Sequence, residues 1–233
     1  MGALIEIGGI ILSQAEGRAE IAAQNISNIT TPGYKRRVSF EKAITSTDPN
    51  SLQNTALSLA TDFSPGKPME TGDPYNLAIS GKGFFVARSA DGLVYTRQGQ
   101  FRRDADGRVV TADGLALQTE DGGDLILKTD AFKVASDGVV TENGAPVARL
   151  ALMDIADPGR ARAVAGGFSA PDEAVAKAQG ASIRQGVLES SNVSTADEMV
   201  AVMQAVRRAE TGQRIIGAYD DLMGRALSTF GQN

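Results

Sequence analysis

Histidine, cysteine and tryptophan are absent from this sequence of 233 residues, and its aromatic residues are four tyrosines and eight phenylalanines. Without an imidazole or a thiol, a Ser-His-Asp triad, a Cys-His dyad, the usual zinc sites and any disulfide framework are excluded. Asp, Glu, Lys, Ser and Tyr remain for catalysis, so an enzyme becomes the minority reading. A basic surplus is lacking too. Lys and Arg number 23 against 28 Asp and Glu, a formal net charge of −5, which disfavours nucleic-acid binding. The basic cluster Lys35-Arg36-Arg37 is short. Long apolar runs are missing as well. Ala3 to Leu12 is broken by Glu6, has no preceding Lys or Arg and no small-residue cleavage site after it. Neither a cleaved secretory signal nor a membrane-spanning segment is expected from it. The lack of thiols suits a chain that crosses an oxidising space unfolded.

What is present falls into zones. From Leu4 to about Asn28 there is no proline and no aromatic residue. Ile5, Gly8, Leu12, Ala15, Ala19, Ala22, Ile26 and Ile29 make one narrow stripe at alternating three- and four-residue spacing, the pattern of a coiled-coil seam. Thr31-Pro32-Gly33 stops that helix. The last forty residues repeat the theme: Ser194 and Thr195 are both candidate N-caps, and Thr195 with Glu198 has capping-box spacing. Met199, Val202, Val206, Ala209, Gln213, Ile216, Asp220, Met223, Leu227 and Phe230 then form a second stripe.

Between the two stripes, Asp-Gly recurs at 91–92, 106–107, 113–114, 121–122 and 137–138, and Asn143-Gly144 adds a further turn signal. Short β-prone runs lie between these turns: Gly83 to Arg88, Leu93 to Thr96, Arg108 to Thr111, Leu125 to Leu127, Val139 to Thr141 and Val147 to Met153. The expected fold is mainly β, a central body of short antiparallel strands flanked by N- and C-terminal helices that pair in a coiled-coil-like assembly core. The expected divisions are an assembly helix over 1–33, an extended linker over 34–70, the β-rich domain over 71–165, a linker over 166–193 and a second assembly helix over 194–233.

Chemical motifs fail on inspection. Gly81-Lys82-Gly83 lacks the third glycine of a dinucleotide fingerprint, and Gly66-Lys67 is followed by Pro68, so neither is a phosphate loop. Placing Gly107 at the sixth position of a calcium loop puts Arg102 at the first, so Asp104-Ala105-Asp106-Gly107 reads as a hairpin turn. Asp220-Asp221 and Asp121/Asp124 have no partner base and read as solvated surface. Asn25, Asn28 and Asn192 begin glycosylation sequons, yet each lies at a helix boundary and reads as a backbone cap. No catalytic, cofactor-binding or metal residue is expected. The stripes are the positive signal. Small residues allow close helix approach but bury little area, so a seam that orders against other copies of the chain is preferred.

Asn25-Ile26-Ser27-Asn28-Ile29-Thr30-Thr31-Pro32-Gly33-Tyr34-Lys35 resembles the N-terminal signature of flagellar basal-body rod and hook proteins. Leu77 to Phe85, then Tyr95 to Phe101 running into Asp104 to Gly107, are similar to that family's strand entry and next hairpin. Gly186-Val187-Leu188-Glu189-Ser190-Ser191-Asn192-Val193 resembles the segment that opens its C-terminal helix. Ser64 to Met69 followed by Leu77-Ala78-Ile79 looks most like the proximal-rod branch, while the distal-rod branch shares most of the motifs. The resemblance implies a structural subunit with no cofactor and no small-molecule substrate. It also implies export through the flagellar type III apparatus without a cleaved signal, and helical stacking in the periplasmic rod with copies of itself and other rod proteins. The assembly residues would be Ile5, Leu12, Ala15, Ala19, Ala22, Ile26, Ile29, Met199, Val202, Val206, Ala209, Ile216, Met223 and Leu227. Family-motif residues would be Asn25, Asn28, Thr31, Gly33, Tyr34, Leu188, Glu189, Ser191, Asn192 and Val193. The competing reading is a soluble β-domain protein that binds carbohydrate or peptidoglycan, with the helices as an internal hairpin.

Overall fold

The computed structural model of the chain describes residues 3–43 and 55–230. Helix α1 (Ala3–Ser27) is followed by strands β1 (Arg37–Ala43), β2 (Thr55–Thr61), β3 (Pro68–Glu70), β4 (Leu77–Ser80), β5 (Phe84–Ser89) and β6 (Gly92–Thr96). Next come β7 (Phe101–Arg103), β8 (Val109–Thr111), β9 (Ala116–Leu117), β10 (Phe132–Val134), β11 (Val139–Glu142) and β12 (Ala145–Arg149). The series ends with β13 (Leu152–Ile155), β14 (Arg162–Val164), β15 (Gly167–Ser169), β16 (Val175–Lys177), β17 (Ser182–Gln185), β18 (Val187–Glu189) and helix α2 (Thr195–Phe230). The protein is mainly β with short antiparallel strands and two helices that pack together. The chain divides into two units. One holds 1–28, 36–62 and 193–233; the other holds 29–35 and 63–192.

In the helical unit, α1 lies along α2, and β1 pairs antiparallel with β2. Residues 34–70, expected as an extended linker, instead contain this hairpin and β3. Ser and Thr made the region look unstructured, but Leu57 and Leu59 alternate with the small residues Ala56, Ser58 and Ala60, with the period of two that a strand has. Of the two candidate N-caps of the second helix, Ser194 is the one used. Ser194 Oγ accepts the Asp197 N–H at 3.4 Å, so Ser194 caps α2 and Thr195 is its first residue.

In the β unit, the main sheet runs β14-β15-β6-β5-β9-β8-β7, with β13 pairing both β5 and β16. Strand β5 is central, so both of its faces are covered. Phe85 points into one core with Phe101, Leu117, Leu125, Leu127 and Val140, and Phe84 points into the other with Val86, Tyr95 and Phe168. Phe85 meets Phe101 edge-on at 5.4 Å, and Phe63 meets Phe84 and Phe168 edge-on at 5.5 and 5.0 Å.

The turn signals do what their chemistry requires. Asn143 and Gly144 both take positive φ, 51° and 81°, as the reversal between β11 and β12 demands. Leu125 to Leu127, expected as a strand, forms only an isolated bridge at its middle residue, Ile126 to Arg108, although Leu125 and Leu127 are fully buried. Residues 166–193, expected as a linker, carry β15, β16, β17 and β18. Their own hydrophobicity is low; they are held by pairing, β17 against β4 and β18 against β3, and by Phe168 in the second core.

Candidate assembly surface

Helix α1 meets α2 through small residues. A Cβ on Gly8 would lie 2.7 Å from Ile216 Cγ1 and 3.3 Å from the Gly212 carbonyl. One on Gly212 would lie 3.0 Å from the Gly8 carbonyl and 3.3 Å from the Leu12 nitrogen. Ala15, Ala22 and Ala205 are buried along the same seam. Glycine is therefore a packing requirement at positions 8 and 212, where the backbones approach most closely.

A polar bracket closes the seam beyond Ala22. Asn25 is fully buried. Its Nδ2 donates to the Arg37 carbonyl at 2.8 Å and to Glu198 Oε2 at 3.1 Å, while its Oδ1 accepts the Arg37 N–H at 2.9 Å. The amide thus pairs with both backbone groups of one residue of β1, as a neighbouring strand would. Arg36 Nε donates to Glu198 Oε1 at 2.5 Å. Of the three expected caps, Asn25 is this tertiary bracket instead, because its side chain points into the seam. Asn28 does cap α1, donating to the Gln24 carbonyl at 2.9 Å, and Asn192 donates to the Ser64 carbonyl at 3.1 Å.

Among the described residues, the buried positions of α2 are Glu198, Ala205 and Gly212, spaced by seven residues. The expected stripe runs one residue later at Met199, Val206 and Gln213. Two of the true seam residues are a carboxylate and a glycine, so hydrophobicity alone misplaced the register. Met199 and Val206 consequently face outward, 56% and 50% exposed, together with Met203 at 54% and Val200. Val202, Ala209, Ile216 and Met223 are half-buried on the flank of the seam. On α1, Leu12, Ala19 and Ile26 are half-buried and Ile5 is exposed, while Ile29 is half-buried in the β unit. The side chain of Leu227 lies outside the described residues.

In the β unit, a second buried cluster gathers the signature residues. Glu189 Oε1 accepts Lys35 Nζ at 2.6 Å and the Gly66 N–H at 2.8 Å, and Oε2 accepts Arg97 Nη1 at 3.0 Å. Arg97 also donates to the carbonyls of Ile79 and Gly81 at 3.0 and 2.6 Å, and Lys35 to that of Ser64 at 2.8 Å. The Gly33 N–H donates to the Glu189 carbonyl at 2.8 Å, and the Asn192 N–H to that of Tyr34 at 3.4 Å. Gly33 has φ +70°, and a Cβ there would lie 2.1 Å from the Arg97 carbonyl. Leu188 and Val193 are buried, Thr31 and Ser191 half-buried. With both oxygens of Glu189 engaged, the cluster is built to hold chain segments rather than to move protons.

Two family models match the chain: the flagellar hook protein FlgE/F/G D1 domain over residues 78–165, and the flagellar basal body rod FlgEFG protein C-terminal region over residues 184–229. The chain belongs to this family of flagellar hook and rod proteins. The first match lies within the β unit; the second takes in β18 and nearly all of α2. The chain is 28% identical to the flagellar basal-body rod protein FlgG of Bacillus subtilis, over 88% of this chain and 90% of that protein. It is 27% identical to FlgF of Caulobacter vibrioides over 91% of each, and 29% identical to FlgF of Escherichia coli K12 over 92% of each. Family membership gives the signature its physical content: Asn25, Gly33, Lys35 and Glu189 sit at the two buried polar clusters. Arg36, Arg97 and Glu198 complete those clusters, and no sequence pattern marked them for that role. Arg97 stood inside a motif already quoted, and Glu198 stood at capping-box spacing, which disguised its part in the seam. The Asp104 carboxylate, set aside as a calcium ligand, accepts the Arg108 N–H and guanidinium at 2.8 and 2.9 Å and the Asp106 N–H at 3.0 Å. No described helix is long and apolar enough to cross a membrane.

Proposed function

We propose that this chain is a structural subunit of the flagellar basal-body rod, of the FlgF-like proximal branch, and that its terminal helices pack against copies of itself and other rod proteins. The observation that carries this reading is the outward apolar row Met199, Val200, Met203 and Val206 on a helix whose other face is already filled by α1. An isolated protomer leaves that row in water, whereas a stacked one buries it. Its role is mechanical rather than catalytic: torque passes through subunit contacts. It travels by the flagellar type III export route, without a cleaved signal, to the periplasmic rod. The competing carbohydrate-binding reading leaves the exposed row without a purpose. The test is to tag the chain in its own cells, isolate basal bodies and locate the tag. Label on the rod, with loss of hooks and motility on deletion, is the expected outcome. Intact, motile basal bodies that lack the protein would overturn the proposal.

A further inference from the structure

Beside the Asn25 bracket, within the helical unit, lies a cavity of about 260 Å³ whose lining is rich in one charge. Arg18 of α1, Arg36 and Arg37 where β1 begins, and Arg208 of α2 all line it, and Glu198 is the one acid among the described lining residues. Helical spacing explains the convergence. Arg18 shares a face of α1 with Ala22, and Arg208 shares a face of α2 with Ala201 and Ala205. Ala22 and Ala205 are buried seam residues, too short to fill the space beside them. Both oxygens of Glu198 are already engaged, by Arg36 and by Asn25. Arg37 donates to a neutral group, Gln24 Oε1, at 2.7 Å, and makes no ion pair among the described residues. Even with Glu41, two residues beyond Ser39 of the lining, set against them together with Glu198, the four arginines leave a surplus of two positive charges.

We propose that this cavity binds one small anion of the phosphate class, held by Arg18, Arg37 and Arg208. Gathering like charges around a confined space is unfavourable unless an opposite charge is received there. The planar fork of a guanidinium pairs with two oxygens of one anion, which favours a tetrahedral oxyanion over a halide. Size narrows the class further. The cavity is smaller than the roughly 300–1,000 Å³ of sites for drug-sized ligands, and a tetrahedral oxyanion needs the room of about two or three waters at about 30 Å³ each. The net charge of −5 opposes a long polyanion or an anionic lipid surface, which leaves a compact, diffusible anion. Its ligands come from α1, the start of β1 and α2, so the bound anion joins the elements of the helical unit and stabilises them against unfolding. Such binding is a property of the single chain and does not depend on a place in the rod.

Isothermal titration of the purified full chain with inorganic phosphate, at constant ionic strength and near-neutral pH, is expected to show one saturable site with a dissociation constant below about 1 mM. Acetate at about ten times the phosphate concentration should not displace it, since a monoanion meets fewer of the arginines. Arg18→Gln and Arg208→Gln should each weaken binding about tenfold, the loss of one charged hydrogen bond. Arg214→Gln removes an arginine of α2 that pairs with Glu210 and does not line the cavity, so it should leave binding unchanged. Phosphate should also raise the melting midpoint of the helical signal to a plateau in the wild type, and less so in Arg208→Gln at the same concentrations. Arg208 is exposed, so its variant keeps the fold and decides the matter even where Arg18→Gln does not fold. No saturable binding by the wild type overturns the proposal. So does equal affinity in Arg208→Gln, or displacement by acetate.

Discussion

Glu189 illustrates how one side chain can hold distant parts of the chain. It joins Lys35 and Arg97, 154 and 92 residues away in sequence, inside a region where all three are nearly inaccessible to water. A buried pair of this kind contributes little relative to a well-packed apolar group, but removing one partner strands charge. Glu189→Ala is therefore expected to lower the stability of the β unit by about 3–5 kcal/mol in urea unfolding. A loss under about 1 kcal/mol would show that Lys35 and Arg97 find other partners. The sequence showed Lys35 and Glu189 as motif members, but nothing in it linked them, because ion pairing across such separations follows topology and not spacing. Tyr75 gives a pH signal. Burial, then its hydrogen bond to Asp130 Oδ1 at 2.5 Å, pushes the phenol from 10.0 to about 12. An acid whose folded pKa is raised stabilises the fold in its neutral form. That contribution is complete below pH 10 and is lost as pH rises through about 12. Alkaline titration followed by tyrosinate absorbance should show a late component to which Tyr95, also raised by burial, contributes, and Tyr75→Phe should reduce that component by one phenol.

At the level of elements, the two glycines at positions 8 and 9 separate packing from propensity. Both weaken a helix equally in principle. Gly8 faces Ile216 and the Gly212 carbonyl at close range, whereas a Cβ on Gly9 would meet nothing within 4 Å. Gly9→Ala should therefore raise the stability of the helical unit by up to about 1 kcal/mol. Gly8→Val should lower it by about 1–3 kcal/mol through overpacking. Thermal melts followed by helical circular dichroism check both, and equal shifts for the two variants would contradict the seam. Helix α1 was legible because its seam residues, Ala15 and Ala22, are small apolar residues at regular spacing. The register of α2 was not, since Glu198 and Gly212 occupy buried places that a hydrophobic count assigns to Met199 and Gln213. The strands from β15 to β18 escaped notice for a related reason. Their stability lies in partners such as β4 and β3, which local composition does not reveal.

For the whole molecule, the notable feature is how the chain is shared out. It passes between the two units four times, after residues 28, 35, 62 and 192. The short segment 29–35 belongs to the β unit although it directly follows α1. It is fastened there by Lys35 Nζ to Glu189 and to the Ser64 carbonyl, by the Gly33 N–H to the Glu189 carbonyl and by the Asn192 N–H to the Tyr34 carbonyl. Both apolar cores of that unit, in contrast, are drawn wholly from residues 63–192. A chain of residues 63–192 alone should therefore fold, but Glu189 would be short of one cation and two backbone hydrogen bonds would go unmade. A chain of residues 29–192 keeps the segment and its lysine. The longer chain is expected to be more stable by about 2–4 kcal/mol, the sum of the Lys35 hydrogen bonds and the backbone ones. Lys35→Met in the longer chain should remove roughly half of that difference, since it deletes both ammonium bonds and leaves the backbone bonds in place. Urea unfolding of the three proteins measures this directly. Equal midpoints for the two lengths would mean that residues 29–35 only pass over the β unit. A failure of residues 63–192 to fold would mean that the segment is part of the core rather than a fastening upon it.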